Sequence, residues 1–136
     1  LVFSEFITNL YTFTIIATNH TGEDVYRFSS KCDLKNKGDF YLRQIMGSVN
    51  YTYGNDFVDY IHGFLNYQIE HHVFPDLSMY AYQSIAPEVR NICRKHNVPY
   101  IQENVFKRLC KTIQICVGDK SMKVMWKSGH FQCQTG

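Results

Sequence analysis

The run Gln68-Ile69-Glu70-His71-His72-Val73-Phe74-Pro75 constrains this chain more than any other stretch. Helical spacing sets Gln68, His71 and His72 on one face, three and four residues apart, where they can point at a single polar site. Proline disfavours helical geometry in the residue before it, so Phe74-Pro75 stops the helix just past the histidine pair. A lone histidine on a helix is usually a surface residue or a satisfied core residue. Two adjacent histidines beside Glu70, followed by an apolar pair and a proline, are costly to explain as packing, because buried polar rings need partners. Imidazole suits iron, and two side by side can serve neighbouring irons.

Elsewhere the pattern is mainly helical. The 136 residues are 45% hydrophobic and 15% aromatic, yet they hold no run of 18 apolar residues, so no segment is an unambiguous membrane span. The nearest is the start of the chain. Phe3, Phe6, Ile7, Leu10, Phe13, Ile16 and Ala17 follow helical spacing, with Glu5, Asn9 and Thr12 on the other side, so residues 1–18 form a helix. Both a membrane-helix end in a bundle and an ordinary amphipathic helix fit it. A loop through Gly22-Glu23-Asp24 leads into a polar stretch without periodicity up to Gly38. A short helix is expected over 39–49 and a strand or turn over 51–55. One continuous helix from Phe57 carries Ile61, Phe64, Leu65 and the histidine pair. A further helix spans about 78–97 with a bend near Pro87. There is no internal repeat, and residues 119–136 are expected to be a mobile tail.

Charge is concentrated late in the chain. Nine of the fourteen Lys and Arg residues lie between Arg90 and Lys127, against only Glu103 and Asp119, although the net charge is just +2. A helix over 103–117 puts Val105, Phe106, Leu109, Ile113, Cys116 and Val117 on one side and Lys107, Arg108 and Lys111 on the other. Such a helix lies on anionic lipid, or packs its apolar face on a cytosolic domain and solvates its charges. Nucleic acid is a poor partner, since no recognised motif accompanies the basic patch. The cysteines at 32, 93, 110, 116 and 133 show no zinc spacing and suggest reduced thiols, with Cys93 and Cys116 on apolar helical stripes. Asn19-His20-Thr21 and Asn50-Tyr51-Thr52 fit the glycosylation pattern, but modification is not expected on the cytosolic side.

The histidine run resembles the third histidine box of membrane fatty acid desaturases, in its Gln-x-x-His-His form. Upstream, Asp59-Tyr60-Ile61-His62-Gly63-Phe64-Leu65-Asn66-Tyr67 is similar to the aromatic run that precedes this box in the front-end branch. Pro75-Asp76-Leu77-Ser78 and Ile85-Ala86-Pro87 continue the likeness, as does Ala17-Thr18-Asn19-His20 at the end of the first apolar segment. The similarity covers roughly residues 1 to 109. The common box is His-x-x-His-His, so Gln68 in its first position favours the front-end and related acyl-lipid types over the stearoyl-CoA type. The Asn-x-x-x-His pair of the stearoyl-CoA type is absent, since Ile16 stands four residues before His20.

The resemblance implies the C-terminal part of a helical membrane di-iron enzyme: a membrane-helix end at 1–18, a cytosolic region at 19–118 and the tail at 119–136. Two earlier histidine boxes do not occur here, and His62, His96 and His130 stand isolated. The chain is therefore expected to belong to a longer protein that supplies the remaining ligands. His71 and His72 are the implied catalytic and metal-ligating residues, with His20 a further ligand. Gln68 is either a ligand or an outer residue holding a water or a histidine. Glu70 either orients a ligand or is exposed, and His62 makes a structural hydrogen bond. The implied cofactor is a pair of iron ions. The implied partners are a lipid bilayer, an acyl substrate, and cytochrome b5 or ferredoxin as electron donor, in the endoplasmic reticulum membrane with the site facing the cytosol. A related acyl hydroxylase, a sphingolipid desaturase, and a non-catalytic metal- or lipid-binding fragment are the alternatives. A metalloprotease is disfavoured, because His-Glu-x-x-His is absent.

Overall fold

A computed structural model describes residues 1–29, 37–52 and 55–125. The described chain is mainly helical. The first helix, α1 (Val2–Ile16), leads into a 3-10 turn at Ala17–Asn19 and then strand β1 (Tyr26–Phe28). Next come α2 (Lys37–Met46), β2 (Asn50–Tyr51), α3 (Asp56–Ile61), a second 3-10 turn at Leu65–Tyr67 and α4 (Gln68–Val73). The described part ends with α5 (Met79–Lys95), β3 (Gln102–Glu103), α6 (Val105–Cys116) and β4 (Lys123–Met125). The strands form two parallel pairs, Tyr26 opposite Lys123 in one and Asn50 opposite Gln102 in the other.

The short α4 lies at the centre, because its apolar side closes the core. Ile69 and Val73 pack on Val89 and Cys93 of α5, with Ile45 of α2 and Val98 and Tyr100 around them. The buried stripe of α5 runs Tyr82, Ala86, Val89, Cys93, a helical period facing one way. Fully burying a side chain such as Ile69 or Val89 stabilises by about 1.5–3 kcal/mol. Pro87 lies on the solvent side inside α5, which runs through it uninterrupted to Lys95.

The single helix expected from Phe57 through the histidine pair is instead broken. Gly63 and Phe64 both take left-handed backbone, each at φ 58°. Glycine adopts that conformation readily, whereas Phe64 does so at a cost of about 1–2 kcal/mol. The break wraps the chain around Asp59, which is fully buried. Phe64 N–H donates to the Asp59 carbonyl at 2.8 Å. The Asp59 carboxylate accepts from Asn66 Nδ2 and, at 2.8 Å, from the Tyr67 hydroxyl. Phe64 in turn packs against the Tyr67, Tyr82 and Ala86 cluster.

The last helix is also reversed relative to the amphipathic expectation. Its buried residues are Arg108 and Thr112, while Phe106 is 75% exposed, Ile113 50% and Val117 71%. Cys116 is likewise exposed, whereas Cys93 is buried in the core. The cause is an ion cluster that draws the polar side inward. Arg108 Nη1 bonds Asp24 at 2.7 and 2.9 Å and Glu103 at 3.2 Å, and Lys111 Nζ reaches the same two carboxylates at 2.7 and 2.6 Å. Arg108 also donates to the Thr18 carbonyl at 3.3 Å and the Thr21 carbonyl at 2.7 Å. Part of the segment expected to be a mobile tail contributes β4, and residues 126–136 lie outside the described residues.

Gly22 permits the close approach of this cluster. A Cβ there would stand 2.6 Å from Arg108 Nη2 and 2.8 Å from Asp24 Oδ1. Gly22→Ala is expected to destabilise by about 1–3 kcal/mol through overpacking, read as a lowered thermal midpoint of the intact protein. An unchanged midpoint would show that the cluster is loose.

α1 exposes its apolar residues as well as its polar side. Every residue from 2 through 13 is exposed, and only Ile15 is buried. Among the described residues no helix is long and apolar enough to cross a membrane.

Candidate metal centre

The centre forms where the 3-10 turn after α1 meets α4. α4 is anchored from behind by Asn50. Its Oδ1 accepts from Ile69 N–H at 2.8 Å, while its Nδ2 lies 2.7 Å from Glu70 Oε2 and 2.6 Å from the Tyr100 hydroxyl. Tyr100 then donates to Glu70 Oε1 at 2.9 Å. Glu70 is thus fully buried rather than exposed. Burial pushes its carboxyl above the ordinary value, against the hydrogen bonds from Asn50 and Tyr100. It points away from the histidine face and fixes the helix that carries it. Asn19 and Asn50 are both fully buried, so neither asparagine is open to glycosylation in the folded chain.

On the other face His20, Gln68 and His72 come together. Gln68 Nε2 is 3.0 Å from His72 Nε2 and 3.2 Å from His20 Nε2, and the two histidine nitrogens are 3.4 Å apart. The rings of His20 and His72 meet edge to face, with centroids 5.0 Å apart. His20 Nδ1 lies 3.2 Å from the Gly47 carbonyl. A carbonyl only accepts, so in the neutral ring that nitrogen carries the proton and Nε2 the lone pair. Burial, and then the nearby His20 and His71, hold the pKa of His72 at about 4, so it is neutral at physiological pH and its ring can ligate.

Of this group, His20 Nε2 and His72 Nε2, 3.4 Å apart, are the two nitrogens whose spacing would suit a first-row metal ion. Nitrogen ligands bound at about 2.0–2.1 Å are separated by about 3.0 Å at right angles and about 3.4 Å at the tetrahedral angle. Gln68 presents its amide nitrogen, which has no lone pair to give, so it ligates only with the amide turned to bring Oε1 forward. In its present orientation Oε1 lies 3.5 Å from Asn19 Nδ2, which also donates to the Leu65 carbonyl at 3.0 Å. Asn19 Oδ1 is buried without a hydrogen-bond partner beside this group.

His71 does not join the triangle. Neighbouring residues on a helix are turned about 100° apart, so adjacent side chains cannot aim at one point. The His71 ring lies 5.6 Å from that of His72, and its Nδ1 is 3.3 Å from the Tyr82 hydroxyl. Among the described residues no three His, Cys, Asp or Glu side chains converge to hold a metal ion. His62 Nδ1 sits 2.7 Å from the Val58 carbonyl one turn back, a bond within its own turn. His96 is exposed after α5, and His130 lies outside the described residues.

A family model described as fatty acid desaturase matches residues 1–104, a span that holds His20, Gln68, His71 and His72. The chain belongs to the fatty acid desaturase family. It is 32% identical over 106 residues to an NADPH-dependent stearoyl-CoA 9-desaturase of Mycobacterium tuberculosis, covering 76% of this chain and 24% of that protein. It is 31% identical over 99 residues to Delta(8)-fatty-acid desaturase 2 of Arabidopsis thaliana, covering 73% and 21%. The acyl-lipid (9-3)-desaturase of Physcomitrium patens is 32% identical over 111 residues, covering 82% and 19%. The chain thus spans between about a fifth and a quarter of the length of these relatives. No solved structure matches it.

Arg108, Asn50, Tyr82 and Tyr100 are the residues that sequence reasoning overlooks. Arg108 grips the carbonyls of Thr18 and Thr21 on either side of His20, so a helix some ninety positions downstream in sequence holds the first histidine in place. Arg108 carried no local signal. Asn50 and Tyr100 gave none either, since their partner Glu70 is reached only through the parallel pairing of β2 with β3.

Proposed function

We propose that this chain is the part of an O2-dependent fatty acid desaturase that contributes His20, His71 and His72 to a two-iron centre, with Gln68 at its edge. The observation that carries the proposal is the 3.4 Å separation of His20 Nε2 and His72 Nε2, in a chain of this family. Iron bound there would supply the oxidising chemistry that takes a hydrogen from each of two adjacent methylenes of an acyl chain, with O2, two electrons and two protons as co-reactants and two waters as products. The remaining ligands come from outside this chain.

The chain's own residues have narrower tasks. Gly47 holds the His20 ring with its lone pair forward, and burial keeps His72 neutral. The Asn50, Glu70 and Tyr100 cluster keeps α4 from rotating. A fixed site matters because holding reactants in geometry is worth about 7–11 kcal/mol of barrier. The exposed apolar side chains of α1, with Phe106, Ile113 and Val117 of α6, are suited to a lipid bilayer, from which the acyl substrate enters. Electrons come from cytochrome b5 or ferredoxin, and the centre faces the cytosol at the endoplasmic reticulum membrane.

Mass spectrometry of lipids from cells expressing the intact protein tests the proposal. A new double bond in an acyl chain is the expected product. A hydroxylated chain would make the protein a hydroxylase on the same centre, and a double bond confined to sphingolipid bases would redefine the substrate. Unchanged lipids together with an iron-free purified protein would favour a non-catalytic binding role.

A further inference from the structure

We propose that Tyr82 is the positioning residue that holds the His71 ring in the form protonated at Nδ1, leaving its Nε2 lone pair free to ligate. The inference rests on the desaturase reading of the centre. After α4 ends, the turn through Pro75 and Asp76 brings the start of α5 back over the histidine pair. Tyr82 lies there, 4% exposed, with its ring in the cluster formed with Tyr67 and Ala86. Two polar groups meet its phenol oxygen, the Phe74 carbonyl and His71 Nδ1, each at 3.3 Å.

With the imidazole neutral, one arrangement of protons satisfies both contacts. The Phe74 carbonyl has no hydrogen to give, so the phenol donates its single hydrogen there. The phenol oxygen then offers a lone pair to His71, and the contact is a hydrogen bond only when Nδ1 carries the proton. A neutral imidazole protonated at Nδ1 has its free lone pair at Nε2. The Gly47 carbonyl imposes the same form on His20 at 3.2 Å. Both histidines are therefore set for Nε2 ligation by neutral acceptors, one a backbone carbonyl and one a phenol. The Tyr82 ring also stands edge-on to the His71 ring, with centroids 5.9 Å apart at 76°, which limits rotation of the imidazole. Outer partners of this kind orient a ligand and raise its basicity.

The test uses the intact protein labelled with 15N-histidine, with Tyr82→Phe and His71→Ala variants. The His71→Ala difference spectrum identifies the His71 signals in the metal-free protein. In wild type these are expected to show Nδ1 protonated. In Tyr82→Phe that form is lost, and iron affinity falls about 10–100-fold, while the thermal midpoint of the metal-free protein stays near wild type because the ring is retained. Wild-type iron affinity in Tyr82→Phe, or a His71 protonated at Nε2 in wild type, overturns the proposal. Loss of iron accompanied by an equal loss of metal-free stability, with the tautomer unchanged, also overturns it, since that marks packing alone. If His71→Ala keeps its iron, the ligand assignment itself fails. If His71→Ala loses iron and Tyr82→Phe does not, the ligand assignment survives and only the role of Tyr82 falls. Should Tyr82→Phe not fold, the wild-type spectrum alone decides.

Discussion

The intact protein carrying His72→Ala is expected to form no detectable new double bond, a loss of about a hundredfold or more, while accumulating normally in membranes. Removing even an outer partner of a metal ligand costs about 10–100-fold, and His72 stands at the meeting point of the whole triangle. Its Nε2 lies within 3.4 Å of both His20 Nε2 and Gln68 Nε2, so truncation opens the site on two sides. His20→Ala is expected to match it. The apolar cluster around α4 is formed by Ile69, Val73, Val89 and Cys93 and does not include His72, so the protein should still fold. Product analysis by gas chromatography alongside immunoblotting separates the two effects. Wild-type product from His72→Ala would remove the residue from the centre.

Arg108→Ala carries the largest expected loss of stability, about 3–5 kcal/mol, the range for removing one partner of a buried ion pair. The side chain is fully buried. Its removal takes a donor from each of the Thr18 and Thr21 carbonyls and weakens the hold on Asp24 and Glu103. Because those carbonyls flank His20, product formation should fall with stability. A thermal midpoint within a degree of wild type would show that α6 is not held by this cluster.

The same cluster sets a pH window. Burial of Asp24 opposes its ionisation, but hydrogen bonds from Lys111 and Arg108 and their charges outweigh this and lower its pKa below the ordinary 3.8. Lys111 is likewise opposed by burial, yet Asp24 and Glu103 raise it above 10.5. Asp24 therefore contributes its full stabilisation above pH 3.8 and loses it as pH falls through its lowered native value. Lys111 contributes fully below pH 10.5 and loses it as pH rises past its raised value. Docking of α6 should be insensitive to pH between these limits and loosen in strong acid. Thermal midpoints of wild type and Asp24→Asn across acid pH would show the difference, which should vanish at the acid end.

The placing of Gln68 and His72 was legible in the sequence because a helix converts spacing into direction. Gln68 and His72, four residues apart, share a face as the pattern requires, and Pro75 ends the helix close behind them. The same rule does not separate His71 from His72, whose directions diverge by about 100°, nor does it show that His71 Nδ1 meets the Tyr82 hydroxyl on the next helix. The unbroken helix over 57–73 failed for a tertiary reason. Apolar periodicity continues through Phe64 and Leu65, but the buried Asp59 carboxylate needs Asn66 and Tyr67 as donors, which an uninterrupted helix would carry elsewhere. α6 inverted for a comparable reason. Its stripe of apolar residues is plain in sequence, whereas the carboxylates that draw Arg108 and Lys111 inward come from Asp24, far upstream, and from Glu103.

Iron content of the purified intact protein tests the central claim most directly. Two irons per chain are expected in wild type, with a clear reduction in both His20→Ala and His72→Ala at unchanged protein yield. Wild-type iron in the double variant would contradict the account, placing the metal centre away from the His20, Gln68 and His72 triangle.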